Sequence, residues 1–189
     1  SGWSVSLSSD GSRVAIGANF NDGNGYNSGH VRIYNYNGSA WVQVGADIDG
    51  EAVSDYSGNS VSLSSDGSRV AIGARNNDGV SGSNSGHVRI YNYNGSAWVQ
   101  VGADIDGEAV SDYSGNSVSL SSDGSRVAIG ANGNDGVSGS DSGHVRVYSL
   151  GEYQYAWNVD GNGTPSDGSY SATVSGTDTA GNAYVAGTQ

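Results

Sequence analysis

The sequence predicts an all-β fold built from four-stranded propeller-blade repeats, and three observations predict it. The first is repetition: Ser60 to Ala74 (SVSLSSDGSRVAIGA) recurs unchanged at Ser4 to Ala18 and Ser117 to Ala131, and Asn27 to Ala74 recurs as Asn84 to Ala131. A unit of 56 to 57 residues is therefore present in nearly three copies, and a period of that length marks an array or a propeller. The second is composition. Val, Ile, Ala, Tyr and Trp supply most of the apolar residues and Gly another 32, with one Phe and no Met, a mixture of strand and turn formers that leaves almost no helix. The third is local patterning within each unit, where short alternating runs are separated by Asp-Gly and Asn-Gly turns.

The second unit shows the elements in order. Ser60 to Ser64 alternates Val61 and Leu63 with serines, the period-two pattern of a half-buried strand. Asp66-Gly67 turns the chain into Arg69 to Ala74, where Gly73 permits close approach of a neighbouring backbone. Asn76 to Gly86 is too rich in Asn, Asp, Ser and Gly to be anything but a loop. His87 to Tyr93 is the third strand, with Val88 and Ile90 on one side and His87, Arg89, Tyr91 and Tyr93 on the other. Asn94-Gly95 then turns the chain into a fourth strand, Trp98 to Ile105, and Asp106 to Asn116 leads onward. Four strands joined by short turns are the content of one blade. A β-solenoid has much shorter coils, and no sub-period of that kind is present.

Three blades on residues 1–56, 57–113 and 114–150 follow, with a different segment, 151–189, behind them. The chain opens inside a repeat, so a longer parent polypeptide is expected. Blades bury their faces only against neighbours, which implies neighbouring blades or other copies of this chain as partners. The net charge of -12, with seven Arg and no Lys, argues against nucleic acid and anionic membranes as partners. No run of about 18 apolar residues suggests membrane insertion. Absence of Cys excludes a disulfide framework without fixing a redox compartment.

The order SVSLSSDGSRVAIGA, GHVRIYNYNGSAW, QVGADIDGE resembles the FG-GAP repeats of integrin α-type propellers and their bacterial relatives. Ser57-Gly58 stands where that family has Phe-Gly, and Gly73-Ala74-Arg75 where it has Gly-Ala-Pro. Residues 151–189, with Trp157, Asp160-Gly161, Asp167 to Tyr170 and Asp178 to Asn182, are similar to bacterial immunoglobulin-like modules of the flagellar-hook-cap type. At about 39 residues the segment is short of the roughly one hundred of a complete sandwich, so a partial sandwich is expected. These resemblances imply a secreted or surface-anchored bacterial protein that adheres or self-assembles without catalysis. Carbohydrate binding as an accessory to a larger protein is the alternative.

Four sets of residues could carry chemistry. The family's Ca²⁺ cage is not carried over, because the interval SLSSDGSR holds only Asp66. The Asn-Asp-Gly loops offer more oxygens, from Asn19, Asn21 and Asp22, from Asn76, Asp78 and Asn84, and from Asn134, Asp135 and Asp141. Such side chains suit Ca²⁺, although a turn needs the same residues; the cofactor is therefore none, or Ca²⁺. The acidic run Asp47, Asp49, Glu51, Asp55 and its copy Asp104, Asp106, Glu108, Asp112 could hydrolyse glycosides or hold cations, but its repetition reads as a solvated loop. His30, His87 and His144 recur at one strand start and read as structural. Repeated aromatics, Tyr34, Tyr36 and Trp41 with Tyr91, Tyr93 and Trp98, could stack on glycans or surface-protein ligands, with packing between blades the stronger reading for Trp.

Overall fold

A computed structural model of the chain describes residues 1–136 and 139–150, and the immunoglobulin-like segment expected at 151–189 lies outside the described residues. The described residues form antiparallel sheets with no helix among them. Blade 1 contains β1 (Ser4–Leu7), β2 (Arg13–Ala18), β3 (His30–Tyr36), β4 (Trp41–Gln43) and β5 (Ile48–Asp49). Blade 2 repeats it as β6 (Ser60–Leu63), β7 (Arg69–Ala74), β8 (His87–Tyr93), β9 (Trp98–Gln100) and β10 (Ile105–Asp106). Blade 3 contributes β11 (Ser114–Leu120), β12 (Arg126–Ala131) and β13 (His144–Ser149).

Each blade is a meander in which neighbouring strands pair in sequence order. The predicted fourth strand is interrupted. Its two pieces, β4 and β5, both pair with β3, Tyr36 opposite Trp41 and His30 opposite Asp49, while Val44 still donates its amide to the Ile33 carbonyl and Gly45 to Asp47 leaves the ladder. The same break separates β9 from β10 along β8. The tight turns follow from side-chain chemistry: Asp66 accepts hydrogen bonds from the Ser64 and Ser68 hydroxyls and the Ser68 amide, and Gly67 takes φ +69°, a region open to glycine at no steric cost.

Hydrophobic residues from facing blades make two cores. Ala15, Val31, Ile33 and Ile48 of blade 1 pack on Val61, Leu63, Val70, Ile72 and Tyr91 of blade 2. The opposite face of blade 2, with Ala71, Val88 and Ile90, packs on Val127 and Ile129 of blade 3. Full burial of a side chain such as Ile33 or Ile72 stabilises by roughly 1.5–3 kcal/mol, so the blade-to-blade contact, not the single sheet, holds the array together. Both faces of blade 2 are consequently covered, and all six residues of β7 are buried.

The serines expected to alternate with Val61 and Leu63 toward water instead bond between blades. Ser4 Oγ donates to the Gly58 carbonyl at 2.8 Å and Ser60 Oγ to that of Gly115 at 2.7 Å. Ser6 Oγ accepts from the Leu63 amide and Ser62 Oγ from that of Leu120, each at 2.9 Å. Arg13 and Arg69 complete the pattern by donating to the Gly67 and Gly124 carbonyls of the next Asp-Gly turn.

Candidate functional site

The break in the outer strand positions a cavity between blades 1 and 2. Gly45 to Asp47 departs from β3 and the chain returns at Ile48, so Asp47 and Asp49, two residues apart, flank a cleft that faces blade 2. The cleft encloses about 240 Å³ and is lined by Ala46, Asp47, Ile48 and Asp49 of blade 1 and by Tyr91, Ala97 and Trp98 of blade 2. Trp98 is fixed by its indole N–H, which donates to the Val44 carbonyl at 2.9 Å, and by contact with Tyr93, whose ring centroid lies 5.3 Å away. It also packs against the first hydrophobic core.

Charges are arranged in layers behind the two carboxylates. Asp47 accepts both Nε and Nη2 of Arg32, at 2.9 and 2.8 Å, and the Gln43 amide at 2.6 Å. These hydrogen bonds, from Arg32 above all, hold its carboxyl below the usual carboxylate range. His30 is buried, with Nδ1 3.5 Å from Asp47 and 3.9 Å from Asp49. Burial, and then the Arg32 charge, lower its pKa despite these carboxylates, so the ring is neutral at pH 7. Asp49 is the more open carboxylate, with 46% of its side chain exposed against 28% for Asp47. On the blade 2 side, Arg89 donates to the Asp49 carbonyl at 2.8 Å and pairs with Glu51 at 3.2 Å. Its guanidinium lies 5.7 Å from the centre of the Tyr91 ring, and burial raises the Tyr91 pKa.

The acidic run is thus not a solvated loop throughout. Asp55 and Asp112 are buried and organise the chain: Asp55 accepts the Ala52 amide and the Asn77 side chain, Asp112 the Ala109 amide and the Asn134 side chain. At the second junction Glu108 pairs with Arg146 and faces His144 at 3.7 Å. His30, Asp47 and Asp49, and likewise Glu51, His87 and Asp104, each bring three ligand-type atoms within 4.8 Å of one another, a separation that suits a cation, although Arg32 and Arg89 already neutralise a carboxylate in each set.

The Asn-Asp-Gly loops are also shaped from within. Asp22, Asp78 and Asp135 accept the amides of Asn27, Asn84 and Asp141, Asn21 accepts the Gly23 amide, and Asn76 donates to Asn84. Asn27, Asn84 and Asp141 have positive φ, which short polar side chains tolerate. Asn19 is buried, with an Oδ1 that finds no partner among the described residues. Of the aromatics singled out in the sequence, only Tyr91 and Trp98 reach the cleft. Tyr36 and Trp41 are about half exposed on blade 1, Tyr34 lies beside Arg32, and Arg13 covers Tyr93 at 5.1 Å. Sequence reasoning overlooked Arg32 and Arg89. Asp47 lies outside β5, so the return of the chain at Ile48, and not a strand's period, sets it beside Asp49.

No family model matches the chain, and no curated protein matches it. A solved structure from Bacteroides uniformis, described as a "putative 6-phosphogluconolactonase", matches at a TM-score of 0.52 with 16% identity, over 77% of this chain and 35% of that one. The chain thus spans about a third of that protein, and the likeness concerns the fold. It corrects the expected FG-GAP and immunoglobulin-like kinship, which no comparison supports. It also overturns the reading of a non-enzymatic adhesive or carbohydrate-binding accessory module, because the fold neighbour bears an enzyme's description. Repeats identical in sequence have different neighbours, and the cleft lies at the first blade junction.

Proposed function

We propose that the cleft between blades 1 and 2 hydrolyses a neutral, sugar-derived lactone. The observation that carries this reading is the pairing of two carboxylates, Asp47 and Asp49, with an aromatic wall, Tyr91 and Trp98, around one cavity of about 240 Å³. The description of the fold neighbour as a "putative 6-phosphogluconolactonase" supports the reaction class. Asp49, the open carboxylate, takes a proton from water as the water oxygen bonds to the lactone carbonyl carbon. The Tyr91 hydroxyl, kept protonated by burial, donates to the developing oxyanion. Collapse breaks the bond from that carbon to the ring oxygen, which receives the proton held by Asp49, and a hydroxy acid leaves. Asp47 stays charged against Arg32 and holds the neutral His30 in place; Trp98 offers an apolar face to the sugar ring.

The charge balance argues against a phosphorylated substrate. Two carboxylates line the cleft and the chain carries -12 overall, a field that repels a phosphate dianion. Gluconolactone hydrolysis, followed by acid release in a pH-stat and corrected for the buffer reaction, should be accelerated by the chain. Asp49→Asn should lower the rate by about 10²-fold or more, while Asp106→Asn, its counterpart in blade 2, leaves it unchanged. A rate equal to that of buffer, or full activity in Asp49→Asn, overturns the proposal; faster turnover of the 6-phosphorylated lactone overturns the choice of substrate.

A further inference from the structure

Arg32 and Arg89 occupy the same position of the repeat and take different partners. In blade 1, Arg32 and Gln43 between them donate to both oxygens of Asp47. In blade 2, Arg89 is drawn across the junction instead, to the Asp49 carbonyl and to Glu51 Oε1. Asp104, the counterpart of Asp47, keeps only the Gln100 side chain, which donates to Oδ1 at 2.7 Å. Its Oδ2 accepts no hydrogen bond among the described residues and lies 3.4 Å from Nδ1 of His87. His87 lacks partners as well. It is 1% exposed, neither ring nitrogen makes a hydrogen bond among the described residues, and Nε2 is enclosed. Buried polar side-chain atoms ordinarily have a partner. Burial keeps the ring neutral, the form in which imidazole binds metals.

We propose that Glu51 of blade 1, with His87 and Asp104 of blade 2, binds one divalent cation of the zinc class and so clamps the two blades together. One nitrogen and two carboxylate oxygens of these residues lie within 4.8 Å of one another. Bonds of about 2.0–2.2 Å to Zn²⁺ require a tighter set, and Glu51, whose side chain is 46% exposed, has the freedom to close it. Arg89 meets Glu51 through Oε1 at 3.2 Å, which leaves Oε2 to the metal. The local field favours a cation: Asp104 and Asp55 act on the ring against Arg89, and Glu51 adds a third carboxylate. A nitrogen ligand disfavours Ca²⁺ and Mg²⁺, which take oxygen, and three protein ligands leave a fourth tetrahedral position to water. The set of His30, Asp47 and Asp49 is the poorer site, because Arg32 and Gln43 already fill Asp47.

Calorimetric titration of the chelator-treated, 189-residue chain with Zn²⁺ tests this, and its readouts are independent of hydrolysis. One equivalent should bind, and Zn²⁺ at about a hundredfold excess over its Kd should raise the melting temperature by about 5–10 °C. Asp104→Asn and Glu51→Gln each remove a ligand charge at nearly constant shape, so both should keep the wild-type circular dichroism. Each should weaken Zn²⁺ binding by about 100-fold or more, since loss of a residue that merely orients a ligand already costs about 10–100-fold, and each should abolish the melting shift. Asp49→Asn, in the neighbouring set, should bind Zn²⁺ as the wild type does. Absence of binding, wild-type affinity in Asp104→Asn and Glu51→Gln, or loss of affinity in Asp49→Asn overturns the site; displacement of Zn²⁺ by equimolar Ca²⁺ overturns the metal class.

Discussion

Ser62 illustrates how a residue acquires its role from its neighbour. Its hydroxyl accepts the partly buried Leu120 amide at 2.9 Å, and an amide deprived of its partner away from water costs about 1–3 kcal/mol. Ser62→Ala should therefore lower the free energy of urea unfolding by roughly 2 kcal/mol, although a solvent-facing serine in a strand would make the change nearly neutral. Alternation of serine with Val61 and Leu63 was legible in the sequence; the destination of the hydroxyl was not, because a strand's period reports two faces and not what covers each. The same holds for Arg89. Its position opposite Val88 and Ile90 was readable, but its bonds to the Asp49 carbonyl and Glu51 depend on residues about forty positions away.

At the scale of the element, the strand pairs β6–β7 and β7–β8 follow from turns whose chemistry is local, and their predicted limits were nearly those observed. The split outer strand was not legible. Trp98 to Ile105 reads as one continuous strand, yet the ladder breaks where Gly102 to Asp104 leaves β8, and in blade 1 this break opens the cleft. Close approach between blades constrains β7 further: a Cβ on Gly73 would overlap the Gly115 carbonyl and the Ser60 hydroxyl. Since the backbone carbonyl has no room to yield, Gly73→Ala should cost roughly 3 kcal/mol, read as a lower denaturation midpoint with an unchanged slope.

For the whole molecule, burial of histidine in the array links stability to pH. His87 is 1% exposed, and burial, followed by the Arg89 charge, lowers its pKa to about 4. The unfolded chain takes up this proton below about pH 6.5, whereas the folded chain keeps the ring neutral until about pH 4. The contribution is therefore intact above pH 6.5 and is lost as pH falls toward 4, amounting to on the order of 3 kcal/mol. Asp47 and Asp66, whose pKa values are depressed by hydrogen bonds from Arg32 and Ser64, add a further loss only below the ordinary carboxylate range. Melting temperatures measured from pH 7 to 4.5 should fall for the wild type and fall less steeply for His87→Gln; parallel slopes would place the acid sensitivity elsewhere.

The sequence by itself determined the all-β class, the unit of 56 to 57 residues, the core strands and the Asp-Gly and Asn-Gly turns, because each follows from interactions within a few residues. Tertiary structure alone decided which copy of each identical residue is buried, which serines latch one blade to the next, and where two aspartates meet two aromatics around a cavity. The physical reason lies in the repeat. Identical segments carry identical local preferences, and only their different neighbours, supplied by packing between blades, separate Val5 from Val61, Trp41 from Trp98, and the first junction from the second.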